Sequence, residues 1–396
     1  MRVLFISDVY FPRVNGVSTS IRTFRGDLSA TGVDSVLIAP AYEQASEEPD
    51  DASIVRVASG HIPGDPEDRR MKSRELKRVL TALQIQRFDM VHIHTPFIAH
   101  YAGVRFARRQ RIPVLATYHT FFEEYLHHYV PLMPRVIGGV LARAFTRSQC
   151  AQLAAIVAPS EPMRALLLEY GVKARVEVIP TGLPADRYVP GNGALFRSRY
   201  SIPPDRPLLL YVGRVAHEKN IDFLLRAFVE LRRTHPDALF AIAGEGPARE
   251  HLQSQVARLG LSNQVYFIGY LEREGELANC YAAGDVFIFA SRTETQGLVL
   301  LEALAQGRPV VSTAHLGTTS ILQSGCGARV APEKAEVFAR AIADILEDPV
   351  RAARLSEQAH VYAQTWMSSR MAARLAALYR DLLQQAQSTA IAQGVA

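Results

Sequence analysis

Two cations and two carboxylates frame the chemistry of this chain. Arg214 and Lys219 lie in GRVAHEKN (213–220), while Glu294 and Glu302 stand on either side of a turn-like Thr-Gln-Gly in TETQGLVLLEALAQGRPVV (293–311). Arginine forks onto phosphate oxygens, lysine adds a point charge, and a helix starting near Gly297 presents free backbone N–H groups. Together these groups suit a diphosphate. Pairing with surface carboxylates such as Glu218 is the alternative use of the same two cations. Glu302 falls in an apolar helix beside Val299, Leu300, Ala303 and Leu304, where an ionised carboxylate requires a partner; helix-end N–H groups would be one.

Strands that end in tight loops would position such residues. RVLFIS, SVLIAP, SIVRVA, MVHIHT, PVLATYH, AIVAPS and VEVIPTG form one series of short apolar runs, and LLLYVGR, LFAIAGEG, VYFIGY, VFIFAS, PVVST and GARVAP form a second. These read as buried parallel strands. Between two of them, NIDFLLRAFVELRRTHP puts Ile221, Leu224, Leu225, Phe228 and Leu231 on one helical face. Repeated strand–helix alternation predicts an α/β fold of two doubly wound parallel sheets. Pro and Gly cluster at 184–205, which sets the expected domains at 1–185 and 186–365, with a final amphipathic helix in 366–396 crossing back to the first. On the second domain Gly213, the pair Gly244 and Gly246, the Tyr270–Leu271 stretch and Gln296–Gly297–Leu298 all follow strands. Open α/β sheets bind ligands at the carboxyl ends of their strands, so these loops are expected to line one crevice.

Composition agrees with two ordinary globular domains: 396 residues with 48% apolar and 21% charged side chains exceed what one core usually organises. Cys150, Cys280 and Cys326 are widely spaced and form no CxxC, which argues against a disulfide framework or a thiolate metal site and fits a reducing cytoplasm. The opening MRVLFISDVYFP is a poor secretory signal, and no apolar run reaches the length of a spanning helix, so a soluble or peripherally attached protein is expected. The net charge of +5 is uneven. Residues 69–147 carry 14 Lys and Arg against 4 Asp and Glu, which points to an anionic surface as partner or to solvated helix faces.

The ordered set PRVNGVSTSI, YHT (118–120), GRVAHEKN, GEGP and TETQGLVLLEALAQGRPVV resembles family 4 of the retaining glycosyltransferases, over essentially the whole chain. The resemblance implies the GT-B fold of two facing Rossmann-like domains, a nucleotide-diphosphate sugar as donor, and no cofactor. It also implies that Glu302 holds the ribose hydroxyls of the donor, that Glu294 and His119 lie beside the transferred sugar, and that Gln296, Gly297 and Leu298 meet sugar and phosphate. Gly16 would let backbone approach the donor phosphate; a plain turn glycine is the alternative. Arg214, Lys219 and the helix dipole would stabilise charge growing on the departing phosphate. No DxD-type carboxylate pair stands in a suitable loop, so no catalytic metal is expected. His92, His94 and His119 share strand positions that imitate a zinc triad, but no acidic ligand accompanies them. A satisfied structural histidine is the other reading of His119. A Rossmann dehydrogenase is disfavoured by the absence of G-x-G-x-x-G.

The acceptor is read from YHTFFEEYLHHYVPLMPRVIGGVLARAFTR, which resembles the matching stretch of bacterial transferases that glycosylate diacylglycerol. Arg135, Arg143 and Arg147 form a basic stripe beside Val136, Ile137, Val140, Leu141 and Ala144, suited either to an anionic leaflet or to an ordinary domain surface. Phe121 and Tyr125 would line the acceptor mouth or pack under the following helix. The expected activity is therefore hexosyl transfer from UDP-glucose, UDP-galactose or GDP-mannose to a lipid such as diacylglycerol at the inner face of the cytoplasmic membrane. A soluble sugar phosphate or glycan acceptor, or a non-catalytic nucleotide-binding protein, are the alternatives. No nucleic-acid partner is expected.

Overall fold

The computed structural model describes residues 1–43, 50–62, 65–119, 135–271 and 275–392. The chain forms two compact units, Met1–Gly182 together with Ser368–Ala396, and Leu183–Met367.

The first unit carries β1 (Arg2–Ile6), β2 (Asp34–Pro40), β3 (Ile54–Val57), β4 (Ser59–Ile62), β5 (Asp65–Met71), β6 (Met90–Ile93), β7 (Val114–Thr117), β8 (Ala155–Ala158) and β9 (Arg175–Val178). Seven of these make one parallel sheet in the order β3-β2-β1-β6-β7-β8-β9. Its helices are α1 (Gly16–Leu28), α2 (Ser73–Leu83), α3 (Ile98–Gln110), α4 (Arg135–Cys150) and α5 (Glu161–Glu169). Side chains alternate across a strand, so β1 feeds two cores: Leu4 and Ile6 pack with Ile93, Val104 and Ile156, while Val3 and Phe5 pack with Ile21 and Phe24. Burial on both faces is why these strands read as unbroken apolar runs.

The second unit carries β10 (Leu208–Val212), β11 (Leu239–Ala243), β12 (Val265–Gly269), β13 (Val286–Phe289), β14 (Val310–Ser312) and β15 (Ala328–Val330), again all parallel, in the order β12-β11-β10-β13-β14-β15. Its helices are α6 (Gly193–Arg199), α7 (Ile221–Leu231), α8 (Arg249–Arg258), α9 (Glu276–Ala283), α10 (Leu298–Ala305), α11 (Ala335–Leu346) and α12 (Pro349–Ala363). Every residue of β10 is buried, and so are Ile221, Leu224, Leu225, Phe228 and Leu231 on the sheet-facing side of α7.

The last helix, α13 (Ser368–Ala392), belongs to the first unit. Its Met371, Ala372, Leu375, Ala376 and Tyr379 complete the core over Val3 and Phe5. One element departs from the all-parallel expectation. β4 and β5 pair as an antiparallel hairpin, in register from Ser59 with Met71 to His61 with Arg69. His61, Arg69 and Arg70 give it no apolar alternation by which a strand is recognised.

Candidate functional site

In the second sheet the chain steps outward from β10 to β11 and β12, then returns to the other side of β10 as β13. The connections after β10 and β13 therefore diverge at a reversal of strand order, the position at whose carboxyl edge open α/β sheets take ligands. Arg214 and Lys219 lie on the first loop, and Glu294 lies on the second.

The loop after β10 is held from below. Tyr211, fully buried in β10, donates its hydroxyl to the Arg214 carbonyl at 3.0 Å. Burial pushes this phenol well above its ordinary value, and the carboxylates of Glu294 and Glu218 add to the effect, so it stays a donor. The chain then makes a short 3-10 turn, His217–Lys219, and enters α7 through Asn220 in the left-handed region at φ 57°.

Lys219 Nζ donates to Glu294 Oε1 at 2.6 Å, with both side chains about four-fifths buried at 18% and 19% exposure. Lys219 therefore has a fixed carboxylate partner within the chain, one that its local sequence does not point to. Seventy-five positions separate the pair, and adjacency of β10 and β13 closes that gap. Arg214 is 44% exposed, with Nη1 3.5 Å from Glu218 Oε1 four residues along the loop. The surface-carboxylate alternative thus describes Arg214 in part.

The glycines of GEGP serve the loops themselves. Gly244 has φ +136°, and a Cβ there would fall 2.0 Å from the Gly213 carbonyl oxygen; at Gly246 it would fall 2.3 Å from that of Val215. Freed of side chains, the backbones interlock: Gly244 N donates to Gly269 O at 2.7 Å, and Val215 N to Glu245 O at 2.9 Å. Gly213 thus takes part in loop packing. Tyr270 is 54% exposed beside buried Leu271.

Gly297 stands at φ +96° as the residue before α10, and Gln296 is buried next to it. Leu298 opens the helix, half-buried. Within α10, Glu302 is 4% exposed and accepts the Tyr281 hydroxyl, from α9, at 2.8 Å. Neither Tyr211 nor Tyr281 was legible as a site residue; a strand tyrosine and a helix tyrosine amid apolar neighbours look like core.

In the first unit the corresponding divergence falls between β1 and β6. Asp8, just past β1, accepts from Thr95 Oγ1 at 2.8 Å and from Ala99 N at the start of α3 at 3.1 Å. His119, just past β7, is half-buried; its Nε2 lies 3.4 Å from His94 Nδ1, and the two rings stack with centroids 5.7 Å apart. His92 has both ring nitrogens engaged, Nδ1 with Tyr379 Oη at 2.5 Å and Nε2 with Thr117 Oγ1 at 2.7 Å. That leaves it no nitrogen for a metal, and the imitated zinc triad is a structural row instead. Burial holds His119 down to about 4, and burial with the neighbouring His119 charge holds His92 down to about 3. All three imidazoles, His94 included, are neutral near pH 7.

Gly16 begins α1, exposed, with Asn15 capping the helix through Ser18 N at 2.9 Å; the space where its Cβ would stand is open. Among the described side chains of α4, Ala142, Thr146, Gln149 and Cys150 are buried. Arg143 and Arg147 are exposed, and the Arg143 guanidinium lies over the Tyr170 ring at 5.4 Å. Val140 and Leu141 are exposed beside them at 60% and 49%. Arg135 begins the helix, but its side chain, and Phe121 and Tyr125 entirely, lie outside the described residues. Among the described residues no helix is long and apolar enough to cross a membrane.

Residues 14–187 match the family described as Glycosyltransferase Family 4, and residues 194–361 match Glycosyl transferases group 1. The alpha-monoglucosyldiacylglycerol synthase of Streptococcus pneumoniae is 34% identical over 318 residues, covering 79% of this chain and 71% of that one. The enzyme of the same name from Acholeplasma laidlawii is 26% identical over 399 residues, covering 97% and 98%. Among solved structures, a sucrose-phosphate synthase from Thermosynechococcus elongatus superposes with a TM-score of 0.78 at 20% identity, covering 97% of this chain and 99% of that one, a likeness of fold. With two Rossmann-like units, ordered strand-end motifs and these relatives, the chain belongs to glycosyltransferase family 4 and is a glycosyltransferase of GT-B fold.

Proposed function

We propose that this enzyme moves a hexose, glucose in the first instance, from a nucleoside diphosphate sugar to diacylglycerol at an anionic membrane surface, with retention of anomeric configuration. The observation that carries the lipid acceptor is the outer face of α4, where exposed Val140 and Leu141 adjoin exposed Arg143 and Arg147. Apolar side chains that enter the headgroup boundary beside cations that meet lipid phosphates are what an interfacial helix needs. The two relatives named as monoglucosyldiacylglycerol synthases support glucose and diacylglycerol.

The donor diphosphate sits, in this reading, on the loops after β10 and β13. As the glycosyl–oxygen bond breaks through an oxocarbenium-like transition state, negative charge gathers on the departing phosphate oxygen. Lys219, already aimed by Glu294, meets that charge with no further ordering, and Arg214 swings to it from the looser Glu218 contact. Backbone N–H groups at Gly297 and Leu298 add the helix N-terminus. In this reading hydrogen bonds from these two side chains, rather than a divalent cation, stabilise the departing phosphate. Glu302, held by Tyr281, takes the ribose hydroxyls, and Glu294 the sugar hydroxyls. In the first unit a neutral His119 acts as a hydrogen-bonding group rather than as a cation.

Labelled UDP-glucose, UDP-galactose and GDP-mannose, each offered with diacylglycerol in anionic vesicles, test the proposal. Label entering the organic phase from UDP-glucose, as the α-linked product, is expected. Transfer only to a soluble sugar phosphate or glycan, with none to lipid, would overturn the acceptor; lipid labelling from GDP-mannose alone would overturn the donor.

A further inference from the structure

Beside the loop residues assigned to the donor, His217, Asp222 and His251 converge on the surface of the second unit. His217 opens the 3-10 turn His217–Lys219, Asp222 lies in the first turn of α7, and His251 is the third residue of α8. One ligand atom from each lies within 4.8 Å of the other two. His251 Nε2 is 2.7 Å from Asp222 Oδ1, and the His217 ring meets the His251 ring edge-on with centroids 5.3 Å apart. A lone His–Asp contact would need only one imidazole. Here a second imidazole, from a separate element, is brought to the same carboxylate.

We propose that His217, Asp222 and His251 form a binding site for a divalent transition metal of the zinc class, distinct from the donor chemistry, that ties the 213–220 loop to α8. Two imidazoles and one carboxylate match zinc rather than magnesium or calcium, which select oxygen donors. Three protein ligands leave one tetrahedral position to water. Bonds of about 2.1 Å place tetrahedral ligand atoms roughly 3.4 Å apart, so a cation requires the present spacings, 2.7 Å between His251 and Asp222 and at most 4.8 Å within the set, to adjust by side-chain rotation of the order of 1 Å. Exposure of 45% at His251 and 25% at Asp222 leaves room for that rotation. His217 precedes Lys219 by two residues, so the bound cation fixes the turn from which Lys219 projects.

The full chain, stripped of metal by chelation and dialysis, is titrated with Co²⁺ followed by visible absorption, and with Zn²⁺ by calorimetry. One equivalent with tetrahedral Co²⁺ bands is expected, and affinity should drop at least about tenfold in His217→Gln and in His251→Gln. Circular dichroism of both variants establishes that they remain folded. Hydrogen exchange at the amides of 217–220 should slow on Zn²⁺ addition in the unsubstituted chain and not in His251→Gln. Absence of a stoichiometric site, or equal affinity in the chain and both variants, would overturn the site; unchanged exchange on saturation would overturn its hold on the loop.

Discussion

Replacing Lys219 by Met and Glu294 by Gln, singly and together, probes the contact that joins the two loops of the donor site. At 2.6 Å the unscreened attraction is about 6 kcal/mol for an effective dielectric of about 20, and below about 2 kcal/mol in bulk water. Desolvation of two groups that are each about four-fifths buried offsets much of the larger figure, leaving an expected coupling of about 1–3 kcal/mol. Each single change strands a partly buried charge and should cost about as much, whereas the double change removes both charges and should cost less than the sum. Urea unfolding of the four proteins at neutral pH measures this. The sole tryptophan, Trp366, lies in the same unit as the pair, so its fluorescence follows the relevant transition. Single-variant losses that add to within about 0.5 kcal/mol would show that the two loops are not joined in solution and that Lys219 is not pre-aimed.

Arg214→Ala should lower donor turnover by about a hundredfold or more with little change in the urea midpoint, since its ion pair is exposed; turnover near that of the unsubstituted enzyme would remove it from the phosphate site. Tyr281→Phe deprives a buried carboxylate of a donor and should cost about 1.5–3 kcal/mol of stability, read in urea, while weakening nucleotide binding. Acidification should destabilise the first unit. His119 titrates at about 4 when folded against 6.5 when free, so the unfolded chain binds more protons between those values. Its contribution, roughly 3 kcal/mol, is complete above pH 6.5 and is lost as pH falls towards 4, with His92 continuing to about 3. A urea midpoint, followed by far-ultraviolet circular dichroism, that stays level from pH 7.5 to 4.5 would contradict this. Reversal of Arg143 and Arg147 to Glu should weaken partition onto anionic vesicles by about 1 kcal/mol or more per site, measured by flotation, and equal partition would count against α4 as the membrane face.

How legible these features are depends on the range of the interaction that makes them. The parallel strands are readable because burial on both faces demands unbroken apolar runs such as LLLYV in β10, and α7 because its apolar period is local. The β4–β5 hairpin is not, since Arg69, Arg70 and His61 interrupt any apolar alternation in its sequence. GRVAHEKN and TETQG mark the two donor loops, yet nothing local says that Lys219 grips Glu294, because the contact exists only once β13 lies against β10. The same holds for Tyr281 with Glu302, and for His251 with Asp222, which reads as an ordinary polar helix surface until α7 and α8 pack. The glycines of GEGP are conspicuous in sequence, but their reason, carbonyl oxygens 2.0 and 2.3 Å from where a Cβ would stand, is tertiary.

The loops after β10 and β13 are proposed to hold the donor diphosphate. Calorimetric titration of UDP and UDP-glucose into the enzyme and its Lys219→Met and Glu302→Gln variants tests it most directly. A single site is expected in the unsubstituted enzyme, with a loss of at least about tenfold in affinity in each variant, about 1.4 kcal/mol or more. Binding of equal strength in all three would place the donor elsewhere on the protein.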